Sequence, residues 1–212
     1  MNKIEYISRK YTVYINKRKF PVEIPNTNRV SLAELFAEFG FKIGAEIGTE
    51  RGIYAQILCK KIPGLRLYCV DPWKPYKNYR DSMTKEEINV FFDEAKSRLA
   101  PYDVKFIKKF SLDAVKDIPD NSLDFVYIDA NHEFRHVVDD ISEWEKKVRK
   151  GGIVAGHDYV QIKRNAYLMA VPFAVVGYTR AYQIKPWFIL GRKSPGKDEL
   201  RDGERSWFWV KT

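Results

Sequence analysis

Two rhythms of apolar residues run through this chain. One repeats at every second position or runs unbroken for a few residues; the other recurs every third or fourth. The short unbroken runs predict strands over Lys42 to Ile47, Arg66 to Val70, Val104 to Ile107, Leu123 to Ile128 and Gly152 to Ala155. Leu123 to Ile128 is almost wholly apolar, as a parallel strand covered on both faces requires. The helical rhythm predicts helices over Tyr54 to Lys61, Lys85 to Leu99 and Arg135 to Val148, with a short one over Asp113 to Val115. In the longest, Ile88, Phe91, Phe92, Ala95 and Leu99 share a face. Ser31 predicts an N-cap for SLAELFAEF, with Glu34 completing a capping box, and Gly40 ends that helix. Tyr167 to Tyr182 reads as helical despite Pro172 and Gly177.

The two ends of the chain depart from this alternation. IEYISRKYTVYIN and KFPVEI, within residues 4–24, alternate charged and apolar positions and predict a β-hairpin turning at Asn16 to Lys19. PWFILGR and SWFWVK read as two aromatic strands joined by the polar stretch Lys193 to Glu204; with no helix between them they pair antiparallel. Strands alternating with helices predict an α/β fold, with a mostly parallel sheet and helices on both faces. The organisation expected is an N-terminal hairpin extension over residues 1–30 and one domain over residues 31–212. Outside the sheet, that extension suits an arm, a lid or a contact between copies of the chain in a homo-oligomer.

Composition narrows the class. Hydrophobic residues make up 45% and aromatics 15%, which excludes a disordered chain. No apolar run reaches the ~18 residues of a membrane span. The first residues lack a signal-peptide core, so no membrane partner and a cytoplasmic location are expected. Cys59 and Cys69 stand in apolar contexts and read as buried packing residues in a reducing compartment. Lys and Arg number 37 against 28 Asp and Glu, a net charge of +9. That surplus suits anionic partners, nucleic acid among them, but the basic residues are scattered, as on a solvated surface.

Candidate chemistry gathers where the strands end. The first strand of the alternation runs into GAEIGTERG, where Gly48 lets the backbone turn sharply and Gly52 permits close approach as the next helix begins. The N–H groups at that helix start suit a carboxylate, and Glu46 suits an ammonium group. Asp71 ends the next strand, where an acid accepts hydrogen bonds from ribose hydroxyls. Trp73 reads either as a pocket wall or as core, and Ser111 either as an adenine contact or as a helix cap. Further on, Asp129 ends one strand, His132 follows three residues later, and His157-Asp158 end the next strand, so the four side chains are expected at one crevice.

EIGTERG, VDPW, DFVYIDANH and GGIVAGHDY together resemble the class I S-adenosylmethionine (SAM)-dependent methyltransferases over about residues 40–212. More narrowly they resemble the bacterial group that includes macrolide-sugar O-methyltransferases and cephalosporin-tailoring relatives. The resemblance implies a Rossmann-like class I sheet ending in an antiparallel pair. It also implies SAM as cofactor and an O-methyltransferase acting on a small-molecule hydroxyl, such as that of a sugar. It implies a metal ion on Asp129, His157 and Asp158, with His132 as the general base, neutral near physiological pH. His157 departs from the oxygen ligands that Mg²⁺ prefers, which leaves Mg²⁺, Mn²⁺, another first-row ion or no metal open. A nucleic-acid methyltransferase and a SAM-binding module without catalysis remain alternatives. Residues 129–132, Asp-Ala-Asn-His, do not spell the Asn/Asp-Pro-Pro-Tyr/Trp motif of amino methylation.

Overall fold

A computed structural model describes residues 1–15, 19–76, 83–160, 162–164 and 167–212, with side chains given outside 161–168. In chain order the elements are α1 (Lys3–Lys10), β1 (Val22–Ile24), α2 (Arg29–Glu38), β2 (Ile43–Ile47), α3 (Ile53–Lys61), β3 (Arg66–Val70), α4 (Lys85–Leu99), β4 (Val104–Ile107) and α5 (Ser111–Ala114). After these come β5 (Leu123–Ile128), α6 (Phe134–Lys147), β6 (Val148–Gly156), β7 (Ile162–Arg164), β8 (Tyr167–Met169), α7 (Val171–Ala181), β9 (Trp187–Leu190) and β10 (Trp207–Val210). Eight strands form one sheet in the order β1-β9-β10-β6-β5-β2-β3-β4, and β7 pairs with β8 in a separate ribbon. Within the large sheet only β10 runs against its neighbours, antiparallel to both β6 and β9. The remaining pairs are parallel. This is the mixed, mostly parallel α/β sheet that the sequence predicts.

Side-chain alternation along β5 explains the two layers. Phe125 and Tyr127 face a core built with Leu32 and Phe36 of α2 and Ala55 and Leu58 of α3. Val126 and Ile128 face the opposite core, with Val137, Ile141 and Trp144 of α6 and Val171 and Val175 of α7. A strand buried on both faces has no polar side to show, which is why LDFVYI is apolar but for Asp124 near its start. Cys59 and Cys69 are unpaired and buried in the first of these cores.

Residues 4–24 are not a hairpin. Asn2 caps α1 through a capping box with Glu5, and Ile7 is fully buried against the α2 layer. The charged-apolar alternation hid the spacing of Ile7 and Tyr11, which is one helical turn. The second stretch does form a strand, β1, but it lies in the main sheet, pairing Val22 to Ile24 in parallel with Phe188 to Leu190. PWFILGR is therefore not the edge. Asn16 to Arg18, where most of the hairpin turn was expected, lie outside the described residues.

Two helix starts also differ from expectation. The N-cap of α2 is Asn28, whose Oδ1 accepts from the N–H groups of Val30 and Ser31 at 3.0 and 3.2 Å. Ser31 is the third helical residue and returns the bond to the Asn28 N–H. Helix α7 starts at Val171, not Tyr167, because Pro172 sits in its first turn, where a missing N–H costs nothing. The loop between β9 and β10 clasps the start of the chain. Asp202 Oδ2 accepts from the Arg29 N–H at 2.8 Å, Asn26 Oδ1 from the Leu200 N–H at 2.9 Å, and Arg205 pairs with Glu23.

Candidate active site

The parallel strands β2, β3, β4 and β5 end on one rim, and a cavity opens there. Its walls include Gly48, Asp71, Tyr76, Ser111, Asn131 and Asp140. Gly48 has φ +94°, and a Cβ on it would stand 2.0 Å from the Asp129 carbonyl oxygen. Its missing side chain thus makes room for the neighbouring strand end, which lets β2 and β5 deliver their termini side by side. Gly52, at φ +70°, turns the chain into α3, and its bare face meets Leu99 of α4 with 3.0 Å from Cβ to Cδ1. Gly52 serves helix packing and is absent from the cavity wall.

Asp71 is buried and ties two loops together. Its Oδ2 accepts from the Glu50 N–H at 3.0 Å and its Oδ1 from the Trp73 N–H at 2.8 Å. Glu46 is buried at the end of β2, and its Oε2 has no hydrogen-bond partner among the described residues. Burial pushes its carboxyl up to about 8; a Thr49 hydrogen bond opposes this and Asp129 adds to it. A cation placed against Glu46 would relieve that cost.

Of the two readings of Trp73, pocket wall or core, the structure has the core one. It is 1% exposed, its indole N–H donates to the Glu50 carbonyl at 2.8 Å, and its ring packs on Phe92 and Phe106. The turn after Asp71 carries it inward, at φ +41°. Ser111 does line the cavity, but its hydroxyl is engaged with Asp140 and Trp144.

Beside the cavity, Asp129, His132, His157 and Asp158 come together as expected. His132 Nε2 lies 2.8 Å from Asp158 Oδ2 and 3.9 Å from Asp129 Oδ1. His157 Nδ1 lies 3.5 Å from Asp158 Oδ2 and 3.8 Å from Asp129 Oδ2. Just before α6, the Asn131 Oδ1 accepts from the Glu133 N–H at 2.8 Å, a tight turn with His132 at its centre. Asp158 takes a left-handed backbone, φ +54°, which an Asp tolerates.

Two expectations change here. The side chains whose ligand atoms lie within 4.8 Å of one another are Asp129, His132 and Asp158, so His132 joins the trio in place of His157. His157 is held instead as a buried neighbour, with its Nε2 unpartnered among the described residues. The resting protonation of His132 also differs. Burial disfavours its charge, but hydrogen bonds and proximity to Asp129 and Asp158 outweigh burial and push it up to about 9. His132 rests as an imidazolium near neutral pH. Asp158 is held far below the usual carboxylate range: burial opposes this, and both imidazoles overcome it.

Sequence reading missed Arg29, in the first turn of α2. Its guanidinium stands 5.5 Å from the Tyr54 ring; the Tyr54 ring lies 4.3 Å from that of Tyr127, tilted by 45°, and Tyr127 lies 6.4 Å from the His157 ring. Burial works against its charge, but Tyr127, Asp202 and Asp129 raise its pKa. Nothing in the motif pattern marks it, because it precedes the strand-end motifs and is brought in by packing.

A family model described as a methyltransferase domain matches residues 45–159, over half of the chain. An uncharacterized protein of Acanthamoeba polyphaga mimivirus is 24% identical over 146 residues, 67% of this chain and 62% of its own length. The chain therefore spans less than two thirds of that curated relative. An O-methyltransferase from Bacillus cereus, solved with S-adenosylhomocysteine (SAH), aligns over 86% of this chain and 80% of its own at 18% identity and a TM-score of 0.60. The O-methyltransferase TomG from Streptomyces achromogenes, involved in tomaymycin synthesis and solved with SAM, aligns over 87% and 80% at 17% identity and a TM-score of 0.58.

Proposed function

The chain belongs to the methyltransferase-domain family, and we propose that it transfers a methyl group from SAM to a hydroxyl oxygen of a small molecule, such as a sugar or polyhydroxylated metabolite. SAM supplies a sulfonium methyl, which is open to attack by an oxygen in line with it. The residues present fit SAM. The unpartnered Glu46 Oε2 suits its ammonium group, the N–H groups opening α3 its carboxylate, and Asp71 its ribose hydroxyls. Gly48 keeps the turn beside Asp129 close, so the strand ends that carry Glu46 and Asp129 stand side by side.

The observation that carries oxygen transfer is the convergence of Asp129, His132 and Asp158. An acceptor hydroxyl must lose its proton as the new bond forms. His132 Nε2 takes that proton once its own has left, and Asp158 orients the ring from 2.8 Å. Asp129 and Asp158 would hold a divalent metal, which would supply Lewis acidity to the acceptor oxygen. His132 stays off that metal, because its Nε2 is the atom that takes the acceptor's proton.

An RNA acceptor has weaker support. Two lysines that could meet a phosphate backbone are already paired: Lys109, on the cavity wall, with Asp117 at 2.6 Å, and Lys116 with Asp113 at 2.9 Å. Screening sugars, polyols and RNA for SAH release, with chelation and Mn²⁺ or Mg²⁺ add-back, tests these readings. We expect methyl on oxygen, and a loss of about 10²–10⁴ in turnover in His132→Ala with SAM affinity retained. Methyl recovered on RNA nitrogen, or full activity in His132→Ala, overturns the proposal.

A further inference from the structure

We infer that Asp140, not Ser111, is the residue that reads the 6-amino group of the adenine; the inference rests on SAM being the cofactor. Asp140 lies on α6, is 4% exposed, and lines the same cavity as Asp71. Its Oδ1 accepts the Ser111 hydroxyl proton at 2.5 Å. The Ser111 oxygen in turn accepts from the indole N–H of Trp144 at 2.8 Å, and Trp144 is fully buried. The direction of this relay is fixed at its start, because an indole N–H only donates. Ser111 has one hydrogen, and it is spent on Asp140. The hydroxyl is therefore a strut, not a donor available to a ligand.

Asp140 is left short of donors. Ser111 is its hydrogen-bond partner among the described residues, which is little for a carboxylate so deeply covered. Burial accordingly pushes it up to about 7; the Ser111 bond opposes this and Asp139 adds to it. What the cavity wall lacks at this point is an N–H donor. The methionine end of SAM is matched at Glu46 and its ribose at Asp71, so the base is the part left to fill the wall at Ser111 and Asp140. Adenine offers there an amino group, and a carboxylate accepts from it. Ser111 and Trp144 keep that carboxylate from turning away.

The test compares SAH with its 6-deamino analogue, in which purine replaces adenine, by titration calorimetry on the full chain. Wild type should bind SAH roughly 10–100-fold more tightly, the worth of one hydrogen bond to a charged group. Asp140→Leu should bring the two ligands to within about two-fold of each other, and Asp140→Asn should lie between, since a neutral acceptor is the weaker one. Should the Leu variant fail to fold, Asp140→Asn decides alone: a ratio cut at least about three-fold supports the assignment. Ser111→Ala should weaken both ligands while keeping a preference for SAH. An unchanged ratio in the Asp140 variants, or a ratio lost in Ser111→Ala but kept in Asp140→Asn, overturns the assignment and leaves the cofactor standing. Wild type that binds neither ligand overturns the cofactor reading itself.

Discussion

Glu46 and Asp71 both end strands, yet they make different demands. Glu46 is raised to about 8 from an ordinary 4.5, chiefly by burial. In the unliganded protein this group contributes stability that is fully present below its unfolded pKa. That contribution is lost as pH rises through the folded value, so unliganded stability should fall between about pH 5 and 8. SAH binding at pH 7 should ionise Glu46 against the ligand's ammonium and release on the order of one proton. Calorimetry in two buffers of different ionisation enthalpy measures that proton, and Glu46→Gln should abolish its release. At Asp71, replacement by Ala should cost SAH binding about 1–3 kcal/mol. Lost melting temperature at unchanged affinity would make Asp71 a loop tie only. Strand ends betray such residues in a sequence, because a parallel sheet sends every C-terminal end to the same rim. The side on which a following residue falls is not betrayed. Trp73 turned inward through its left-handed backbone, and Ser111 was recruited by Trp144 from a helix far along the chain.

Helices and strands were legible wherever a segment's own residues settle its burial. Arg66 to Val70, Lys85 to Leu99, Val104 to Ile107 and Leu123 to Ile128 match the observed β3, α4, β4 and β5. The failures fall where a distant partner decides. Helix α1 has only eight residues, so its rhythm is too short to read against a charged alternation, and it is packing of Ile7 on the α2 layer that settles it. Ile7→Ala should therefore cost about 2–5 kcal/mol in denaturant unfolding, as a cavity in a shared core. A hairpin arm detached from the domain would show almost no change. Asn28→Ala should cost about 1 kcal/mol through loss of the α2 cap. Ser31→Ala removes the return bond of the box and a long hydroxyl contact to Asn28 Oδ1, at 3.3 and 3.4 Å, and should cost less.

At the scale of the molecule, the sheet and the site are one object. A Cβ at position 48 meets the Asp129 carbonyl, so Gly48→Val would push apart the strand ends that carry Glu46 and Asp129. That variant should lose melting temperature and SAH binding together, and it cannot isolate a ligand contact.

Strand β1 carries a consequence for the order of events in synthesis. Ile24 is synthesised 166 residues before Leu190, its register partner, and 178 before Asp202, which holds the Arg29 N–H. At about 5–20 residues per second, the first strand waits on the order of ten seconds for its place. During that wait Val22 and Ile24 are an open edge, free to pair with a neighbouring nascent chain. The charged Glu23 between them, later neutralised by Arg205, guards that edge until the clasp arrives.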